Sequence, residues 1–156
     1  MDRLTPLWRT RFLALARNVG AWSKDPSTKV GAVIVRPDRT VVAVGYNGFP
    51  RGTFDREDYL ADRPEKIRRT VHAELNAILT AREPLQGCTL FVTPLHPCAG
   101  CAGAIIQSGI KRVVAELAKP AHASWLCDFD SARRMFDESD VEVELVTPEL
   151  VTPEGK

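Results

Sequence analysis

Apolar positions Leu7, Trp8, Phe12, Leu13, Leu15, Ala16 and Val19 recur at helical spacing with charges between them. That pattern predicts an opening amphipathic helix that ends at Gly20 or runs on through Ala21-Trp22. Ser23-Lys24-Asp25-Pro26-Ser27-Thr28 is polar and reads as a loop. Val30-Gly31-Ala32-Val33-Ile34-Val35 is a largely β-branched apolar run. Arg36-Pro37-Asp38-Arg39 separates it from a second run, Thr40-Val41-Val42-Ala43-Val44-Gly45-Tyr46. So short a connection predicts an antiparallel hairpin, and continuous apolar runs predict a sheet covered on both faces.

Residues 47–52 are turn material, and 55–69 is a segment of mixed charge. A solvated loop with some helix is one reading of that segment. The other is a lid with a phosphate-binding cation, for which Arg51, Lys66, Arg68 and Arg69 are candidates. Further on, 72–82 reads as helix, 88–93 as strand, 98–108 as helix closed by Gly109, 111–115 as strand, 128–138 as helix and 141–146 as strand. Strands alternating with helices predict parallel pairing in this second half, beside the antiparallel hairpin. The fold class expected is a three-layer α/β/α sandwich with a mixed sheet of roughly five strands. No linker divides the chain, so residues 1–146 are expected to form one domain. A flexible tail, 147–156, with two Val-Thr-Pro-Glu copies, follows.

Composition narrows the function classes. Lys and Arg total 21 and Asp and Glu 20 among 156 residues, for a net charge of +1. Such a balance speaks against a nucleic-acid binder, which needs a basic surface. No apolar stretch approaches a membrane span, and the first eleven residues lack a signal-peptide core. A cytoplasmic, reducing location is therefore expected, with the four cysteines as thiols or metal ligands rather than disulfides.

The chemistry concentrates in His72-Ala73-Glu74 and Pro97-Cys98-Ala99-Gly100-Cys101, each opening a predicted helix. Cysteines three apart on a helix point to the same side. A helix N-terminus favours thiolate over thiol, which is the state a zinc ligand requires. His72, Cys98 and Cys101 then give three ligands and leave a tetrahedral position for water. Glu74, two residues past His72, does not share its face, so it stands beside the metal without ligating it. There it can take a proton from water and return it to substrate. Alone, C-x-x-C also suits a redox pair or a structural zinc site, and His-x-Glu occurs by chance. Combined, they match the H-x-E and P-C-x-x-C signature of zinc deaminases.

From about Trp8 to Val143 the chain resembles the deoxycytidylate (dCMP) deaminases of the cytidine deaminase-like superfamily. The resemblance rests on Ser23-Lys24-Asp25-Pro26, Lys29-Val30-Gly31-Ala32, Gly45-Tyr46-Asn47-Gly48-Phe49-Pro50-Arg51-Gly52, His72-Ala73-Glu74-Leu75-Asn76-Ala77-Ile78, the Pro-Cys motif and Ile105-Ile106-Gln107-Ser108-Gly109-Ile110. It implies hydrolytic deamination of dCMP to dUMP, with one catalytic Zn²⁺. It further implies that backbone at Ala73 and Pro97 holds the pyrimidine edge and that Asn47 contacts the sugar. Homo-hexamers activated by dCTP and inhibited by dTTP are common in the family. Lys24, Gly45, Tyr46, Gly48 and Arg51 are accordingly candidate effector or phosphate contacts, with Mg²⁺ accompanying a triphosphate. The chain departs from its relatives at 117–125, where a tyrosine is missing and Trp125 is the candidate aromatic wall. That departure leaves open a modified cytosine nucleotide, or a base within RNA or DNA, as substrate. Cys88 and Cys127 are expected to be buried inert thiols and His122 a surface residue; His96, next to Pro97 near the zinc loop, is either a plain loop histidine or a substrate contact.

Overall fold

A capped turn starts the first helix. Thr5 Oγ1 accepts from the Trp8 amide at 3.5 Å, and Pro6 occupies a first-turn position that needs no N–H, so α1 runs Pro6–Gly20. The computed structural model describes residues 4–117, 119 and 124–147. After α1 come β1 (Gly31–Val35), β2 (Val41–Tyr46), α2 (Glu57–Ala61), α3 (Arg63–Arg69), α4 (Ala73–Thr80), β3 (Thr89–Thr93), α5 (Ala99–Gln107), β4 (Arg112–Glu116), α6 (Leu126–Glu138) and β5 (Glu142–Val146). The five strands lie in the order β2-β1-β3-β4-β5. β1 pairs antiparallel with both β2 and β3, while β3-β4 and β4-β5 are parallel. The sheet is mixed, as its sequence implies. The second antiparallel pairing, β1 with β3, has no local signal because 53 residues separate the strands.

Alternation along the strands divides the core in two. Ala32, Ile34, Leu90, Val92, Val113 and Ala115 face α4, α5 and α6, whereas Val33, Val35, Phe91 and Val114 face α1. Every residue of β1 is buried, as a strand covered on both faces must be. Phe91 packs on Phe12 of α1 at 5.0 Å between ring centroids. The inward stripe of α1 is Phe12, Leu13, Ala16 and Val19. Leu7 and Leu15 are exposed instead, Leu15 because two residues past Leu13 it turns to the far side. Gly31 is required where β1 passes α1, since a Cβ there would lie 1.8 Å from the Ala16 carbonyl oxygen.

The pairing registers bring one set of loops together. Gly31 lies opposite both Tyr46 and Thr93, and Val92 opposite Ala115. The segment before β1 and those after β2, β3 and β4 therefore emerge at one end of the sheet. Residues 55–69, expected as loop with some helix, form two short helices. His122 and the tail beyond Thr147 lie outside the described residues. Cys88 is buried, but Cys127 is exposed in the first turn of α6, which begins at Leu126, earlier than periodicity implied. No helix among the described residues is long and apolar enough to cross a membrane.

Candidate active site

Two helix starts meet at that end of the sheet. Backbone bonds between Val71 and Gly48, at 2.8 and 3.1 Å, tie the approach to α4 to the loop after β2. His72 is the N-cap of α4 with extended backbone, and its ring makes no capping bond. The imidazole is thus free to point at Cys98 and Cys101. Gly45 of β2 lets α4 lie this close, because a Cβ there would be 2.3 Å from the Ala73 carbonyl oxygen. Cys98 is the N-cap of α5, its sulfur accepting from the Cys101 amide at 3.5 Å. Asp128 of α6 takes the next free donor, the Ala99 amide, at 2.8 Å.

His72 Nδ1 lies 3.4 Å from both sulfurs, and the three donor atoms fall within 4.8 Å of one another. A tetrahedral ion with Zn–N about 2.0 Å and Zn–S about 2.3 Å sets N···S separations of about 3.5 Å, so this donor set fits zinc. The Cys98 thiol is lowered to about 4 by hydrogen bonds from Cys101 and His72, against burial. Cys101 is pushed up as the proton-holding partner of that pair and by burial. Its hydrogen bond with Cys98 raises the proton affinity of His72. Glu74 is 3% exposed, and burial pushes its carboxyl above the usual range.

His72, Ala73, Glu74 and Cys98 line one open cleft. Trp125 and Phe129 of α6 contribute an apolar wall, stacked at 6.5 Å. Asn47 also lines it, 6% exposed, but both its polar atoms serve the preceding loop. Its Oδ1 accepts from the Val30 amide at 2.8 Å, and its Nδ2 donates to the Thr28 carbonyl at 2.9 Å. A sugar contact would use the second lone pair or second N–H. Pro97 is buried, and its carbonyl accepts from His96 Nδ1 at 2.8 Å.

Among the effector candidates, Lys24, Tyr46 and Gly48 line a second cavity with Trp22 and Asp55. Lys24 pairs with Asp55 at 2.8 Å there. Gly45 is buried beneath α4, and Arg51 is exposed on a turn.

Two residues that the sequence names without ranking prove to be buried in the cavity wall. His96, either a plain loop histidine or a substrate contact by sequence, is 4% exposed and lines the cavity between Phe129 and Phe136. A carbonyl only accepts, so its Nδ1 carries the proton and its buried Nε2 is a bare acceptor without a partner among the described residues. Lys66, one of four unranked cations, is 5% exposed and faces the same cavity. Neither carries a spacing signal, since tertiary contact alone brings it in.

Three thiol and imidazole donors beside a buried carboxylate, opening on a cleft, define the centre of a metal-assisted hydrolase. The chain belongs to the cytidine and deoxycytidylate deaminases, whose zinc-binding region matches residues 6–117. It is 44% identical over 137 residues to the uncharacterized deaminase in the luxG 3' region of Aliivibrio fischeri, covering 87% of this chain and 91% of that one. Identity to the probable deoxycytidylate deaminase of Caenorhabditis elegans is 48% over 107 residues, or 66% of this chain and 54% of that one. The chain thus spans about half the length of the nematode relative, 54%. Its fold is similar to that of the dCMP deaminase of cyanophage S-TIM5 in complex with dCMP and dUMP. The TM-score is 0.73 at 26% identity, covering 92% of this chain and 100% of that one.

Proposed function

We propose that this protein hydrolyses dCMP to dUMP and ammonia. The observation that carries the reading is the convergence of His72, Cys98 and Cys101 beside buried Glu74 at one cleft. His72, Cys98 and Cys101 would hold zinc, which when bound supplies the Lewis acidity that makes water a nucleophile at neutral pH. Glu74 accepts a proton from the attacking water and returns it to the departing amine. Its burial raises its proton affinity, which suits a group that must both take and give a proton near neutrality. The Ala73 amide and the Pro97 carbonyl hold the pyrimidine edge, Asn47 meets the sugar, and Trp125 with Phe129 excludes water from one side.

The finer reading is regulatory. The second cavity, with Lys24, Tyr46 and Gly48, supports a nucleoside triphosphate site for dCTP or dTTP with Mg²⁺. Exposed Trp22, Phe54 and Leu79 support assembly of copies, as a hexamer by family resemblance. Ammonia release from cytidine, CMP, dCMP, dCTP and 5-substituted dCMP, each with and without dCTP and dTTP, tests the whole reading. Preference for dCMP is the expected result, and preference for a tRNA anticodon stem-loop over dCMP would overturn it. Light scattering reports the assembly.

A further inference from the structure

Of the cations offered by the segment between the hairpin and α4, Arg51 and Arg68 are exposed and line neither cavity described above. Arg69 is held by Glu65 at 2.6 Å and lies over the Tyr59 ring at 4.0 Å. Lys66 differs from all three. It is buried, it faces the cavity that holds His72, Glu74 and Cys98, and Arg63 of the same helix lines that cavity beside it. We propose that Lys66, assisted by Arg63, binds the 5'-phosphate of the substrate and sets the preference for a nucleoside monophosphate over a free nucleoside. The assignment rests on the deaminase reading and gives it a residue for the phosphate.

Three observations support it. First, the Lys66 ammonium has three N–H groups and two contacts, Asp25 Oδ1 at 3.0 Å and Ser27 Oγ at 2.9 Å. One donor remains for a ligand among the described residues. Second, Asp25 does not depend on Lys66 for its hydrogen bonds. Its Oδ1 already accepts from the Ser27 amide at 2.7 Å and the Thr28 amide at 3.0 Å. Third, a buried ion pair is seldom more stabilising than an apolar filling of the same space. A lysine kept in the wall of a ligand cavity therefore has more to do with ligand than with fold.

Asp25 acts as the resident counter-ion. It neutralises Lys66 while the cleft is open, and its amide contacts keep it in place when a phosphate enters. A phosphate monoester carries about two negative charges near neutral pH. With Asp25 in place, Lys66 and Arg63 leave the cluster one positive charge in excess, which offsets part of the phosphate charge, and the remaining Lys66 N–H and the Arg63 guanidinium donate to its oxygens as charge-assisted bonds. Free deoxycytidine would leave both cations without that partner.

The test uses the zinc-loaded full chain and compares kcat/KM for dCMP and deoxycytidine by ammonia release. Lys66→Met is expected to reduce the preference for dCMP by about 100-fold, mostly through KM for dCMP. Arg63→Gln, at an exposed position that threatens folding less, is expected to reduce it by about 5-fold. Inorganic phosphate should inhibit parental dCMP turnover competitively and inhibit Arg63→Gln less. Equal loss on both substrates, with the preference intact in every variant that folds, makes Lys66 a structural partner of Asp25 only and overturns the assignment. Should Lys66→Met fail to fold, an unchanged preference in Arg63→Gln together with no phosphate inhibition overturns it equally. A parent that releases no ammonia from dCMP overturns the functional reading, and the assignment with it.

Discussion

Two polar clusters look into one cleft, and the chain builds them in opposite ways. His72, Glu74, Cys98 and Cys101 come from the first turns of α4 and α5, each pair within three residues of sequence. Asp25, Ser27 and Lys66 come from a loop and a short helix some forty residues apart, joined at 3.0 and 2.9 Å. Metal ligands must converge at fixed angles, and a helix start delivers two of them at a set spacing, so the first cluster leaves a motif. An ion pair asks only for opposite charges in contact, so the second leaves none. The contrast also separates roles. The first cluster bears on turnover and the metal, the second on stability and ligand binding.

The largest expected effect falls on the first cluster. Cys98→Ala removes one of three donors and the N-cap of α5. Zinc content measured by elemental analysis should fall sharply and ammonia release from dCMP should drop to background, with chelation of the parent giving the same loss. Activity in fully metal-free protein would break the assignment of this cluster to metal chemistry. Next, Glu74→Gln should retain zinc while turnover falls by about 10²- to 10⁴-fold, the range for removing a general acid–base group. Neutralising a carboxylate that burial already disfavours should not lower the thermal midpoint. A variant as active as the parent would remove Glu74 from the proton path.

The second cluster should respond in the reverse order. Asp25→Asn keeps an acceptor for the Ser27 and Thr28 amides but strands the Lys66 charge, whose side chain is 6% exposed. A loss of about 3 kcal/mol in urea unfolding is expected, since removing one partner leaves an uncompensated buried charge. Zinc content should stay near that of the parent. Loss of zinc without loss of stability would show the two clusters to be one unit. Gly45→Ala probes the join between sheet and site. Its methyl would displace the first turn of α4 from β2, costing about 1–3 kcal/mol and some zinc affinity together.

Legibility of the molecule follows the same division. The hairpin, the helix starts bearing the two motifs and the mixed sheet were readable because period and turn residues are local. The β1-β3 pairing was not, nor was the burial of Lys66. A lysine inside a run such as Arg63-Pro64-Glu65-Lys66-Ile67-Arg68-Arg69 looks solvated until its contact with Asp25 is known. The burial of His96 within its loop is hidden for the same reason. Its neighbours Phe129 and Phe136 arrive from α6, more than thirty residues on. Residues whose roles depend on chain-distant partners are those a single sequence leaves unranked.

The smallest effect expected is a pH dependence, and it distinguishes the clusters by sign. Burial alone would raise the Asp25 carboxyl, but hydrogen bonds from Lys66 and from the Ser27 and Thr28 amides overcome it and hold the group below the usual range. A carboxyl depressed in the folded state binds fewer protons there than when unfolded. Its stabilisation is therefore fully present above the unfolded value of about 3.9 and is lost as pH falls through the depressed one. The gap in thermal midpoint between parent and Asp25→Asn should be constant from pH 7 down to about 5 and narrow below about 4. Glu74 runs the other way. Its carboxyl is raised by burial, so the folded state holds the proton longer, and stability declines as pH climbs from the unfolded value through the raised one. In metal-free protein, Glu74→Gln should therefore gain on the parent as pH rises above the ordinary carboxylate value, whereas Asp25→Asn loses ground only as pH rises towards that value. A midpoint gap for Asp25→Asn that stayed flat to pH 3 would mean that Asp25 is not held as a carboxylate by Lys66 and the loop amides.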